Sequence, residues 1–116
     1  MFRSEIWLIN LDPTLGAEIQ KTRPVIIVSS DAIGILPLRV VVPLTDWKDN
    51  YAQAKWMVKI TPNHSNSLAK DSAVDTFQIR SVSTARFLRK LGSVSEKEMN
   101  QIVQAIGLVV EYPAME

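Results

Sequence analysis

The sequence contains no cysteine, one histidine and four glycines among its 116 residues. Without cysteine the chain forms no disulfide and offers no thiolate to a metal, which suits a reducing compartment. The histidine, His64, stands in a Pro-Asn-His-Ser-Asn turn, where a solvated loop residue is a simpler interpretation than a metal ligand. The scattered glycines form no phosphate-binding loop. The composition therefore argues against a metal centre, a bound cofactor and a Ser-His-Asp triad.

Long apolar runs are missing as well. No stretch approaches the ~20 apolar residues that a membrane-spanning helix requires. The amino-terminal residues also lack the basic and then apolar pattern of a secretory signal. We therefore expect a cytoplasmic protein that does not bind a membrane. The length and the apolar fraction of 47% predict a single domain, residues 1–116, with one core.

Charge is nearly balanced overall but unevenly distributed. Residues 1–94 contain 12 Lys or Arg and 8 Asp or Glu, a balance of +4, and residues 95–116 contain 1 Lys and 4 Glu, a balance of −3. A mildly basic body attracts polyanions. A balance of this size is equally ordinary for a globular domain.

Short apolar segments separated by turn residues predict five to seven strands. Among them are Glu5–Leu11, Val25–Ser30, Leu38–Leu44, Trp56–Ile60 and Leu88–Val94. Pro43 predicts an end or an edge for the third strand, because proline donates no ladder hydrogen bond. Residues 71–82 predict a further strand.

Ser95 and Glu98 carry the signature of a helix capping box. Apolar residues then recur at helical spacing at Met99, Ile102, Val103, Ile106 and Val110. The pattern predicts an amphipathic helix that ends near Glu111 and covers the sheet. The predicted fold class is mainly β with one helix: a small, closed or nearly closed antiparallel barrel followed by a C-terminal amphipathic helix.

The predicted loop of residues 12–24 concentrates charge between two core strands. It contains Glu18, Lys21 and Arg23, and Pro24 restricts Arg23 to an extended backbone. Loops fixed at both ends by strands often carry function. Solvated surface charges are the plainer explanation of the same residues.

RNA cleavage needs neither a metal nor a histidine, because the ribose 2′-hydroxyl supplies the nucleophile. The protein has to hold the phosphate in line, stabilise added negative charge and help to move protons. Arg23 suits the phosphate, since a guanidinium makes paired hydrogen bonds to phosphate oxygens. Thr45, at the end of the third strand, can position the phosphate or relay a proton, and Asp75 can act as a base.

Other residues of the predicted strand over 71–82 are polar or aromatic. Regular alternation puts Asp75 and Phe77 on one face of the sheet. It puts Gln78 and Arg80 on the other, whereas a bulge would reverse this arrangement. Taken singly, each has a plainer explanation: an outward Asp75 that balances a nearby lysine, and a polar surface ladder.

Aromatic residues stand among charges in the loop of residues 45–54. Trp47 and Tyr51 in this loop, and Trp56 after it, have ring faces on which bases of single-stranded RNA can stack. Core packing or contact with a protein partner explains these residues equally well.

Four segments form an ordered series along the chain. They are Ile6-Trp7-Leu8-Ile9-Asn10-Leu11-Asp12-Pro13-Thr14 with Gly16 and Glu18, Lys21-Thr22-Arg23-Pro24-Val25-Ile26-Ile27-Val28-Ser29, Val42-Pro43-Leu44-Thr45, and Phe77-Gln78-Ile79-Arg80-Ser81. The order and spacing of these segments resemble the PemK/MazF-like toxin family of bacterial toxin–antitoxin systems. The resemblance extends over nearly the whole chain, including the terminal helix.

The resemblance implies a small SH3-like barrel, usually a homodimer, that cleaves single-stranded mRNA at short motifs without a metal. The implied products carry a 2′,3′-cyclic phosphate and a 5′-hydroxyl, and the usual partner is a small antitoxin whose tail occupies the RNA groove. The family's arginine falls on Arg23 and its strand-end threonine on Thr45. Glu18 is expected to shape the loop, in one version by pairing with Arg23. The predicted substrate-binding residues are Glu18, Lys21, Trp47, Gln78 and Arg80.

Two positions depart from the family pattern. Some relatives have His or Ser directly before the loop glutamate, where this chain has Ala17. Some have an acid directly before the Gln-x-Arg motif, where this chain has Phe77. If that acid is the base in those relatives, it is missing here. We hypothesise that Asp75, two residues upstream, replaces it.

Two alternatives stay open at this point. Gyrase-inhibiting toxins with the same barrel act through the terminal helix, but the tail Val109-Val110-Glu111-Tyr112-Pro113-Ala114-Met115-Glu116 does not resemble their aromatic-tipped tail. The other alternative is an RNA-binding or peptide-binding barrel that has lost its activity, which Ala17 and Phe77 keep credible. It predicts RNA binding without cleavage.

Overall fold

A computed structural model describes residues 1–19 and 21–112. The strands and the helix are β1 Glu5–Asn10, β2 Thr22–Ile27, β3 Leu38–Asp46, β4 Met57–Ile60, β5 Ser72–Asp75, β6 Arg80–Ser83, β7 Phe87–Ser93 and α1 Glu96–Val109. Short 3₁₀ turns lie at Asp31–Ile33, Asp49–Gln53, Thr76–Gln78 and Thr84–Arg86. No helix in these two described ranges has the length and apolar character needed to cross a membrane.

The strands form one antiparallel sheet in the order β4-β5-β3-β2-β1-β7, with β6 also paired to β3. The end strands of this order, β4 and β7, do not pair with each other in the described part of the chain. The sheet is therefore open rather than closed into a barrel. The predicted class, a mainly-β fold with a C-terminal helix, is confirmed.

Strand β3 has two different partners along one edge. Its first half, Leu38–Val41, pairs with β6, and its last residues, Leu44–Asp46, pair with β5. The other edge pairs with β2, where Val25 is opposite Pro43. Pro43 therefore lies inside a central strand, and the prediction of a strand end or an edge is wrong.

The position of Pro43 explains why β3 tolerates it. Val28 N donates to Val40 O (2.9 Å), so alternation along the ladder makes Val25 and Pro43 a pair without mutual hydrogen bonds. The nitrogen of Pro43 consequently faces the opposite edge of β3. At that edge the partner changes from β6 to β5, and no ladder hydrogen bond is lost there.

The chain also does not run as one strand over residues 71–82. It breaks after β5 at the turn Thr76–Gln78, because the Asp75 side chain caps this turn by accepting a hydrogen bond from Phe77 N (3.1 Å). The turn brings Gln78 back to Asp75, and Gln78 Nε2 donates to Asp75 Oδ2 (3.2 Å). The predicted separation of these residues onto opposite faces is therefore wrong.

The two faces of the sheet carry separate apolar clusters. One face includes Ile6, Ile26 and Val42, and α1 covers it with Met99 and Ile102. We call the other face the cleft face, and its buried residues are Ile9, Leu11, Val25, Ile27, Val41 and Val82. The helix does not cover the cleft face, and the side chains that pack against its buried cluster are instead Met1, Trp7, Ile19 and Phe87.

The predicted capping box of α1 is confirmed. Ser95 Oγ accepts a hydrogen bond from Glu98 N (3.0 Å), and Glu98 Oε1 accepts one from Ser95 N (2.8 Å). The helix ends at Val109, close to the predicted end near Glu111. The tail of residues 113–116, including the predicted proline break, lies outside the described residues.

A half-buried carboxylate joins β1 to β7. Glu5 Oε1 accepts hydrogen bonds from Phe2 N (2.9 Å) and Trp7 Nε1 (2.9 Å), and Glu5 Oε2 lies 3.0 Å from Lys90 Nζ. Burial alone raises the pKa of Glu5, but these three donors together outweigh it and lower the pKa to about 2. The carboxylate therefore stabilises the fold in its charged form.

We predict that this contact makes stability fall in acid. The unfolded chain binds a proton at Glu5 near its ordinary pKa, whereas the folded chain binds it only near 2. The contribution of Glu5 to the free energy of unfolding should therefore keep its full value above about pH 5. It should be lost as the pH falls towards 2, and the loss should be at most about 3 kcal/mol. Urea unfolding between pH 7 and pH 3 measures this pH dependence of the free energy of unfolding. Glu5→Gln should flatten the dependence, whereas the control Glu111→Gln should keep the wild-type slope.

Candidate functional site

The side chains of Arg23 and Thr45 point to the cleft face of the sheet. Val25 pairs with Pro43, and Val25 belongs to the cleft-face cluster. Side chains alternate along a strand, so Arg23 and Thr45, two residues further along, point to the same face. Continuing the register places them opposite each other at the end of the ladder. The pairing of Glu18 with Arg23 stays a prediction.

Arg80 and Asp75 reach the same face from the other edge of β3. Arg80 pairs with Val41, a residue of the cleft-face cluster. Ala73 pairs with Thr45, so Asp75, two residues after Ala73, also points to the cleft face. The three predicted catalytic residues thus share one face with Arg80.

A cleft of about 520 Å³ opens on this face, within the usual size range of ligand-binding pockets. It is lined by Leu11, Ala17, Glu18, Ile19, Pro43, Phe77, Gln78, Ile79 and Arg80. Three predicted substrate-binding residues, Glu18, Gln78 and Arg80, are therefore part of it.

The described residues of the β1–β2 loop, 11–19 and 21, form one wall of the cleft, and the loop is fixed at its base. Asp12 Oδ1 accepts a hydrogen bond from Lys21 N (2.9 Å). Arg86 Nη1 donates to the carbonyl oxygens of Asn10 (3.0 Å) and Asp12 (2.6 Å). Lys21 has a left-handed backbone (φ 71°), which is uncommon for a residue other than glycine. These contacts set the direction in which the loop leaves β1 and enters β2.

Gln78 holds the far part of the same loop. Its Oε1 accepts a hydrogen bond from Ile19 N (2.6 Å), and its Nε2 donates to Ala17 O (3.5 Å). Glu18, between these two residues, turns its carboxylate back to accept from Leu15 N. This contact is consistent with the expected loop-shaping role of Glu18.

Asp75 is a buried carboxylate, only 7% exposed. Both of its oxygens accept hydrogen bonds from the turn that follows β5. The plainer interpretation, an outward residue balancing a lysine, does not hold, because the nearby lysines have other partners. Lys59 pairs with Asp71 (3.7 Å), and Lys70 pairs with Asp46 (3.0 Å).

Five of the predicted site residues are not among the described residues that line the cleft: Trp47, Lys21, Arg23, Thr45 and Asp75. Trp47 contacts Tyr51 edge to face, with 5.8 Å between the ring centroids. Lys59 Nζ lies 5.2 Å from the centroid of the Trp47 ring. Trp47 therefore belongs to an aromatic cluster beyond the end of β3. Lys21 is exposed at the base of the loop.

The cleft face combines groups that suit a phosphate diester. Arg23 offers a fork of donors, and Thr45 offers a hydroxyl at the neighbouring strand position. Arg80 adds a second fixed positive charge across β3. The described residues contain no group of three or more His, Asp or Glu side chains that could hold a metal ion.

Two site features were missed by sequence reasoning. Arg86 acts on carbonyl groups 74 and 76 positions earlier in the chain, and no local motif signals such a contact. In the sequence, Phe77 was notable only because some relatives have an acid at this position. In the structure it lines the cleft, and 66% of its surface is exposed. The unusual residue at that position was the one available signal.

The fold and the cleft define a small antiparallel-sheet protein with a helix on one face of the sheet and a cleft and two arginines on the other. Residues 2–110 match the model of a family described as the PemK-like, MazF-like toxin of type II toxin–antitoxin systems. The chain belongs to this family.

Relatives of known name agree. Endoribonuclease MazF9 of Mycobacterium tuberculosis is 34% identical, with 93% of this chain and 94% of the relative covered. Endoribonuclease PemK of Escherichia coli is also 34% identical, covering 95% of this chain and 82% of the relative.

Solved structures share the fold. A mycobacterial endoribonuclease solved in complex with its cognate antitoxin superposes with a TM-score of 0.79 at 22% identity, covering 99% of both chains. MazF of Deinococcus radiodurans superposes with a TM-score of 0.79 at 20% identity, covering 96% of both chains.

We predict that Gln78→Ala loosens the cleft wall. The change removes the acceptor of Ile19 N and leaves one partly buried donor without a partner, a loss of roughly 0.5–1.5 kcal/mol. The amide of Ile19 should exchange with deuterium roughly 2- to 10-fold faster, and trypsin should cut sooner after Lys21. Gln104→Ala, at an exposed position of α1, is the control. Unchanged exchange at Ile19 in Gln78→Ala would contradict the assignment.

Proposed function

We propose that this chain is the endoribonuclease toxin of a type II toxin–antitoxin pair and that it cleaves single-stranded mRNA at short sequence motifs. The convergence of Arg23, Thr45, Asp75 and Arg80 on one face of the sheet carries the proposal. Membership of the toxin family and the names of the endoribonucleases MazF9 and PemK support it. Two arginines on the cleft face also suit a polyanionic substrate.

In the proposed reaction the 2′-oxygen of a ribose attacks the adjacent phosphorus. The bond from phosphorus to the 5′-oxygen of the next nucleotide breaks. A base takes the proton of the 2′-hydroxyl, and the leaving 5′-oxygen receives a proton. The products are a 2′,3′-cyclic phosphate and a 5′-hydroxyl, and the scheme requires no metal because the substrate carries its own nucleophile.

We assign the phosphate to Arg23 and Thr45. The guanidinium can bind two phosphate oxygens at once and stabilise the charge that builds up as the 2′-oxygen attacks. It acts through its charge rather than as a proton donor, because a guanidinium does not give up its proton in proteins. Thr45, across the ladder from Arg23, positions the phosphate or relays a proton.

Asp75 is our candidate for the base. Its carboxylate points to the cleft face, and its two hydrogen bonds to the following turn fix its orientation. The same bonds give it a positioning role through Gln78, so the test must separate the two roles. The proposed RNA-binding residues are Glu18, Lys21, Trp47, Gln78 and Arg80.

The proposed partner is a cognate antitoxin whose tail occupies the cleft. The mycobacterial neighbour with the same fold was solved with its own cognate antitoxin, which supports a similar partner here. A cleft face with two arginines also suits an acidic protein segment.

We also propose that two copies form a homodimer. Five large apolar residues are at least 46% exposed, namely Phe2, Ile33, Ile35, Leu36 and Leu38. They lie near one another, because Arg3 N donates to Asp31 Oδ1 (2.8 Å) and Arg39 Nε donates to Met1 O (3.1 Å). An apolar patch of this kind is typical of a protein–protein interface.

The proposal includes a cytoplasmic location and a single domain, residues 1–116. An mRNA substrate and the absence of cysteine support the location. The packing of α1 on the same cluster as β1, β2 and β3 supports one domain. The family and the names of the relatives favour a ribonuclease over the gyrase-binding or inactive alternatives.

We predict that Arg23→Ala abolishes cleavage of a long end-labelled single-stranded RNA in EDTA. Loss of the main transition-state contact should lower the rate at least ~10²-fold. Arg23→Lys should recover little, because an ammonium lacks the paired geometry. The control is Arg89→Ala, at an exposed β7 position, which should cut like wild type. Equal cutting by Arg23→Ala and wild type would place the site elsewhere or reveal a contaminant.

We predict that Asp75→Asn lowers cleavage by ~10²-fold or more at every pH while the protein stays folded, because an amide cannot accept the 2′-hydroxyl proton. The measurement is the rate from pH 5 to pH 9, with the melting temperature and RNA affinity of each protein. A tenfold or smaller loss recovered by a stabilising buffer would indicate positioning only. Wild-type rates at every pH would remove Asp75 from the mechanism.

A further inference from the structure

Phe77 is an unusual residue for the rim of this cleft. It is 66% exposed, yet it belongs to the cleft lining next to Gln78 and Arg80. Large apolar side chains left this exposed at the mouth of a pocket commonly contact a ligand. The cleft mechanism described above assigns Phe77 no role.

The backbone under Phe77 is fixed on both sides. Thr76 is fully buried, and both its Oγ1 (2.6 Å) and its N (3.2 Å) donate to Trp56 O. Phe77 N donates to Asp75 Oδ1 (3.1 Å). The ring therefore projects from a rigid turn, and a ligand that contacts it need not order the backbone first.

A second aromatic ring stands behind Phe77. Trp56, itself 40% exposed, meets Phe77 edge to face, with ring centroids 6.3 Å apart and an interplanar angle of 68°. This geometry is favourable for aromatic pairs and limits rotation of the Phe77 ring. It leaves at least one face of the Phe77 ring uncovered by Trp56.

We infer that Phe77 is a nucleobase-stacking platform, supported by Trp56, that positions the RNA beside the cleaved phosphate. An exposed phenylalanine face takes any base by stacking. Arg80 and Gln78, three residues and one residue further along, lie in the same lining, so a nucleotide stacked on Phe77 would bring its phosphate and base edge within their reach. The inference rests on the proposed function and adds a subsite to it.

The test uses the RNA segment around the strongest wild-type cut, with a 2′-O-methyl group at the cleaved nucleotide so that it binds without reacting. Its affinity is measured by fluorescence anisotropy in EDTA, and kcat and KM are measured on the unmodified RNA. The variants are Phe77→Ala, Phe77→Leu and Phe77→Trp. Tyr112→Ala is the matched control, because Tyr112 is an aromatic residue that is 68% exposed and follows α1, which covers the other face of the sheet.

Phe77→Ala should weaken binding roughly 10- to 100-fold, the usual loss on removing one stacking contact, and should raise KM more than it lowers kcat. Phe77→Trp should retain wild-type affinity. Phe77→Leu should lose nearly as much as Phe77→Ala, and Tyr112→Ala should lose nothing.

Three outcomes would overturn the inference. Wild-type affinity and KM in Phe77→Ala, with wild type still cutting, would leave the ribonuclease function intact and point to a protein partner for this ring. Wild-type affinity in Phe77→Leu would show a simple apolar contact instead of stacking. An absence of both binding and cutting by wild type would remove the proposed function and the platform with it.

Discussion

The side chain of Asp75 determines how the cleft face is built. By capping the turn after β5 it ends one strand and lets the next begin beside a different part of β3. A continuous strand over this region would have used one edge of β3 for a single long ladder. The break instead turns Gln78 towards the β1–β2 loop and places Arg80 on the face that Arg23 and Thr45 share. One carboxylate with two hydrogen bonds thus orders three elements around the cleft.

The pairing of strand β3 is the second feature that determines how the cleft face is built. It pairs with β2 along one edge and with two short strands along the other. Pro43 fits at the change of partners because its nitrogen faces the gap. Its side chain, which carries no polar atom, lines the floor of the cleft. A proline that would damage an ordinary central strand therefore fits here without loss of a hydrogen bond.

Local patterns were sufficient for most of the fold. The apolar runs located the strands, and the capping box located the start of α1, because both signals depend on neighbours in sequence. The break at Asp75 was missed because alternation alone cannot distinguish a continuing strand from a capped turn. For the candidate site, the ordered motifs singled out Arg23 and Thr45, and strand alternation in the structure puts both on one face of the sheet. The hydrogen bonds from Arg86 and Gln78 to the β1–β2 loop could not be predicted, because they join residues far apart in the chain.

The distance along the chain between these contacting residues determines when the cleft can form during synthesis. The loop depends on Gln78, 59 residues after Ile19, and on Arg86, 76 residues after Asn10. During synthesis the amino-terminal strands leave the ribosome first, but the wall of the cleft cannot close until most of the chain has followed. Contacts of such long range also slow folding. A growing chain with the proposed activity would thus stay harmless to the message being translated until its synthesis is nearly finished.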